Sequence, residues 1–138
     1  MTIDASSAAY PTQEQLVGIQ TTFDGITLGR LNSVIRESAE VLGRAGVETR
    51  GFTHTQAVVL ASTAVQHQIL SAFTQPDSVR LTQLADTSVW RVFGGFTEEG
   101  VFCLDEADKR HGLIGKGRLQ QVYHYTELGE TLYDLFRL

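Results

Sequence analysis

The sequence holds a single cysteine, Cys103, which excludes an internal disulfide and fits a reducing compartment. It has no apolar run approaching the ~20 residues that a membrane span needs. Residues 1–11 lack the basic, then apolar, profile of an export signal, so a cytoplasmic protein is expected. Enzyme motifs are missing too. There is no glycine-rich loop after a strand, no G-K-[ST], no G-x-S-x-G, no H-E-x-x-H and no paired cysteines. No enzyme activity, cofactor or metal site is therefore expected. Asp105, Glu106 and Asp108 do not follow the calcium-loop pattern and are expected to solvate a loop. His54 and His67 do not fall on one helix face at ligand spacing, and Cys103 is expected to be a buried structural thiol.

What is present is ordinary globular material. A chain of 138 residues with 42 % apolar and 20 % charged side chains can bury a core as one domain. The formal net charge is −5, whereas nucleic-acid binders are usually basic over their footprint. The charge is unevenly spread. Residues 108–120 carry Lys109, Arg110, Lys116 and Arg118 against Asp108, so one basic segment stands against an acidic remainder.

Along the chain, residues 1–11 read as a small, polar leader closed by Pro11. Thr12 and Gln15 form a capping box, so a helix should start at Gln13 and end at Asp24-Gly25. From Thr27 a second helix carries Leu28, Leu31, Ile35, Ser38 and Leu42 at threes and fours and stops at Gly46. That seam packs either on the domain's own core or on a second copy. Residues 47–52 are a loop. Thr53 and Gln56 make another capping box before a helix over 54–73, whose inward face is Ala57, Leu60, Ala61, Ala64, Val65, Gln68, Ile69, Ala72 and Phe73.

Gln75-Pro76-Asp77 reads as a break, followed by a short helix over 79–85 and a turn at Asp86-Thr87-Ser88 with Thr87 or Ser88 as N-cap. The next helix, over 88–99, turns Val89, Val92, Phe93 and Phe96 inward and Trp90, Arg91, Gly94, Gly95 and Thr97 outward. Gly100 ends it. A strand over 101–104, a loop over 105–118 and a strand over 119–125 follow, and Thr126 caps a last helix with Leu128, Leu132, Leu135 and Phe136. Short helix, turn, amphipathic helix and hairpin in that order outline a winged helix-turn-helix. The expected class is mainly α with a small β-hairpin wing (α+β), in one domain over 12–138. Within it, 12–46 supplies N-terminal dimerisation helices, 53–126 the winged-helix core and 127–138 the C-terminal helix.

The segments GFTHTQAVVLAS, RLTQLADTS, FTEEGVF, DKRHG and YHYTELGETLYDLF resemble, in order, those of the MarR family of winged-helix regulators. The resemblance spans about residues 28–138. It implies a homodimer with interlocked terminal helices, a reading helix over 88–99 in the DNA major groove, and wing cations Lys109, Arg110 and Arg118 on phosphate or the minor groove. It also implies a small-molecule effector between the dimerisation and DNA-binding parts. The interval from Leu84-Ala85 to Gly100 is shorter than in that family, so a truncated reading helix is expected.

The function expected from the sequence is a transcriptional regulator that binds double-stranded DNA. Its candidate contacts are Arg80, Thr87, Ser88, Trp90, Arg91, Gly94, Lys109, Arg110, His111, Lys116 and Arg118. Candidate dimer residues are Leu28, Leu31, Ile35, Leu42, Leu132 and Phe136. Two alternatives compete with it: a winged-helix module whose Trp90 face docks a protein, and an acidic inhibitor that mimics DNA.

Overall fold

A computed structural model describes residues 11–47, 52–112 and 119–136. The leader over 1–10, part of the loop expected at 47–52, and both Lys116 and Arg118 lie outside the described residues. The elements are α1 (Gln13–Asp24), α2 (Leu28–Arg44), α3 (His54–Leu70), α4 (Gln75–Thr82), α5 (Asp86–Glu98), β1 (Phe102–Arg110), β2 (Gln120–Tyr125) and α6 (Glu127–Asp134). The described residues are thus mainly helical, with a two-stranded antiparallel hairpin. Among the described residues no helix is long and apolar enough to cross a membrane.

Helix starts follow local chemistry. Thr12 and Gln15 cap α1 reciprocally, as Thr53 and Gln56 cap α3. The Thr27 and Thr126 side chains accept from Arg30 N and Gly129 N to start α2 and α6. Gly46 and Gly100 sit at φ 78° and 77°, the left-handed region where glycine ends a helix without strain.

Three helix boundaries differ from those read in the sequence. The helix over 54–73 stops at Leu70, because Ser71 turns left-handed (φ 63°) and Phe73 joins the hairpin. Phe73 N donates to Tyr123 O at 3.1 Å and Tyr123 N to Phe73 O at 2.8 Å. Residues 75–77 do not break the chain but begin α4. Pro76 occupies the first turn, where its missing N–H costs nothing, and the Thr74 side chain accepts from Asp77 N at 3.3 Å. The turn lies at 83–85, with Gln83 at φ 58°, so α5 starts at Asp86. Thr87 and Ser88 are first-turn residues rather than caps, and the helix has thirteen residues.

The core gathers on both sides of α3. Val34, Ser38 and Leu42 of α2 are fully buried, as are Leu132 of α6 and Phe73, Phe93, Phe96 and Phe102. Phe102 ties the hairpin to α5, with ring centroids 5.0 Å from both Phe93 and Phe96 and 4.8 Å from Phe73. A smaller cluster of Ile19, Val65 and Leu81 seats α1 against α3 and α4. Part of the α2 seam is therefore consumed within the chain. Leu42 and Leu132, expected at a dimer interface, are core residues, and Leu28, Leu31, Ile35 and Phe136 keep surface.

Candidate nucleic-acid interface

The outer face of α5 follows from its apolar period. Val89, Val92, Phe93 and Phe96 are buried, which turns Thr87, Trp90, Arg91 and Gly94 to solvent and leaves Ser88 half-buried. Trp90 keeps 65 % of its surface, a large apolar exposure for an indole. A Cβ built on Gly94 meets nothing within 4 Å, so among the described residues no contact requires glycine there. Arg80 on α4 and Lys109 on β1 are also exposed. Asp86, Glu98, Glu106 and Asp108 are exposed acids on α5 and β1. Glu99 is half-buried, and burial followed by repulsion from Glu98 raises its carboxyl above the usual range.

The hairpin departs from the expected short strand and loop. β1 runs on to Arg110, so residues 105–110 are strand rather than loop. Cys103 is exposed on β1, not buried, because the strand turns Phe102 into the core and the next side chain outward.

Arg110 and His111 were expected to face phosphate, and the structure turns both inward. Arg110 Nη1 donates to Asp77 Oδ2 at 2.7 Å and Nη2 to Gln66 Oε1 at 2.8 Å. The Arg110 and Asp77 side chains keep 13 % and 3 % of their surface. His111 is buried. The reason is a polar cluster between α3, α4 and the hairpin that needs a cation. Gln66 Oε1 also accepts from Thr74 N at 3.0 Å, while its Nε2 donates to Ser62 O and Ser78 Oγ at 3.1 Å. Thr74 Oγ1 donates to Gln120 Oε1 at 2.7 Å. Buried groups so paired satisfy the cost of leaving water.

Sequence reading missed Gln66, Thr74, Asp77, Ser78 and Gln120. It placed Gln68 on the inward face of α3, yet Gln68 is exposed and Gln66 fully buried. A helix covered on several sides does not report its burial through one stripe. The Thr74–Asp77 capping spacing was the one local signal available.

A cavity of about 290 Å³ lies among α1, α2, α3 and the end of α4, lined by Phe23, Ile26, Leu31, Val58, Ala61 and Thr82 among others. Compared with protein-family models, curated proteins and solved structures, the chain matches none.

Proposed function

We propose that the chain is a cytoplasmic winged-helix regulator of the MarR type that binds double-stranded DNA as a homodimer. The observation that carries this reading is the helix–bridge–helix–helix–hairpin order in which α5 is locked by four inward apolar residues and shows its whole opposite face. An exposed helix beside a hairpin is the form that enters a major groove while the wing rests on the backbone. Arg91 would pair with a guanine edge, a contact worth about 1–3 kcal/mol of discrimination. Thr87 would reach base or phosphate, Trp90 a sugar or a thymine methyl, and Gly94 would let the backbone come close. Phosphate contacts fall to Arg80 and Lys109, with Lys116 and Arg118 as further wing cations; Arg110 and His111 are not among them. The cavity beneath α1 and α2 is of a size for a small effector.

The test is duplex binding across a salt series. About four phosphate-contacting cations per protomer predict a slope of log K on log salt near −3 to −4 for each protomer engaged. Arg91→Ala should weaken binding and relax sequence preference, and Lys109→Ala should weaken it evenly and flatten the slope by about one. No duplex binding at low salt defeats the reading for this chain.

One observation favours a second reading, a module that docks a protein. Trp90 is 65 % exposed, and exposed acids flank it on the same helix at Asp86 and Glu98. An aromatic anchor rimmed by negative charge suits a basic protein surface. Loss of a protein partner in Trp90→Ala, with no duplex binding by the wild type, would decide for it.

A further inference from the structure

We propose that Asp105, Asp108 and His124 form a binding site for a divalent first-row transition metal on the hairpin. Their donor atoms, one from each side chain, all lie within 4.8 Å of one another. Two strands contribute: Asp105 and Asp108 come from β1 and His124 from β2.

The local structure that brings them together has no packing role. Asp105 pairs with Val122 and Lys109 with Gln121, so Glu106, Ala107 and Asp108 are extra residues on β1 without partners across the ladder. All three side chains are exposed, and none adds to the core. The bulge carries the Asp108 carboxylate back beside that of Asp105. One oxygen of each is occupied locally: Asp105 Oδ1 accepts from Ala107 N at 3.0 Å and Asp108 Oδ1 from Lys109 N at 2.9 Å. Asp105 Oδ2 lies 3.1 Å from His124 Nε2. Two carboxylates are thus held close, with Glu106 adjacent, and the imidazole supplies a nitrogen lone pair that an acidic patch alone lacks.

The donor set names the ion class. One imidazole and two carboxylates suit zinc, manganese, iron or cobalt, whereas calcium and magnesium take oxygen ligands. Bonds of about 2.0–2.2 Å from each donor to one centre require the three side chains to draw in from a spread of up to 4.8 Å. Binding would replace the Asp105–His124 hydrogen bond with two metal bonds and join the bulge to β2, stiffening the hairpin. Cys103 pairs with His124 across the ladder, so its thiol lies on the same face as a candidate further donor.

The site does not depend on the DNA reading, and its test uses neither DNA nor activity. Tag-free, full-length protein is titrated calorimetrically with zinc and with cobalt, and the cobalt complex is followed by visible absorption. The expected result is one ion per chain, with weaker or no response to calcium and magnesium. His124→Ala and Asp108→Ala should each weaken affinity roughly tenfold or more. Thermal melts of the metal-free variants confirm that both still fold, since both side chains are outside the core. Binding unaltered by either substitution overturns the proposal, as does no binding by the wild type. Loss in Cys103→Ser alone, with His124→Ala binding normally, also overturns it and assigns the ion to a thiolate site.

Discussion

Arg110 looks like a surface cation in the run Asp108-Lys109-Arg110, yet its guanidinium fork spans two buried acceptors, Asp77 and Gln66. Removing it takes the ion pair from the Asp77 side chain, which is 3 % exposed. Arg110→Ala should therefore cost about 3–5 kcal/mol of folding stability, read as a lower urea midpoint. Arg110→Lys should recover little of it, because one ammonium cannot reproduce a planar two-point contact. Nothing within the hairpin sequence announces this role, since Asp77 and Gln66 are brought to Arg110 by tertiary packing. Tyr125 gives a second residue-scale expectation. Burial, only partly offset by its 2.7 Å hydrogen bond with Thr63, holds its phenol well above the ordinary 10.0. The folded state retains that proton, so the contribution is complete below pH 10 and lost as pH rises above it. Wild type should lose stability on the alkaline side of 10 more steeply than Tyr125→Phe, measured by urea melts at matched pH. At neutral pH the same variant should be less stable by about 1 kcal/mol, for the lost hydrogen bond.

At the scale of elements, what was legible in the sequence was local. The capping threonines at 12, 53 and 126, the inward face of α5 and the stop at Gly100 all depend on residues within a turn or two, and each stands where the sequence placed it. What was missed needed a partner far along the chain. Phe73 reads as helix until Tyr123 offers it two backbone hydrogen bonds, and residues 105–110 read as loop until β2 pairs with their ends. The start of α5 was set by a left-handed Gln83, and a non-glycine residue gives no warning of that conformation. Of the candidate contacts, the α5 face could be read from periodicity and Lys109 from the local excess of cations, whereas the inward turn of Arg110 and His111 could not. Gly94 separates stability from function on α5. A Cβ there meets no atom, so Gly94→Ala should raise stability by about 0.5–1 kcal/mol through helix propensity alone. If a ligand backbone must approach α5, the same variant should bind it more weakly. A variant that is more stable and equally tight in binding would remove Gly94 from the interface.

For the whole molecule, the proposed dimer and the proposed DNA contact make one joint prediction. The core takes Leu42 and Leu132 out of any interface but leaves Leu28 64 % and Val17 54 % exposed on the first two helices. Apolar side chains with so much surface gain about 25 cal/mol for each Å² a second copy covers. Leu28→Glu should disturb the monomer by no more than about 0.5 kcal/mol, since it replaces an exposed side chain. It should nevertheless shift sedimentation from dimer toward monomer. With a net charge of −5, each chain repels DNA except through its few exposed cations, so two reading helices matter more here than in a basic protein. A dimer engaging two half-sites roughly doubles the phosphates neutralised, and the salt slope should therefore fall by about half in Leu28→Glu. An unchanged slope with a monomeric variant would mean that one protomer makes all the DNA contacts. An unchanged sedimentation profile would move the interface away from the exposed end of α2.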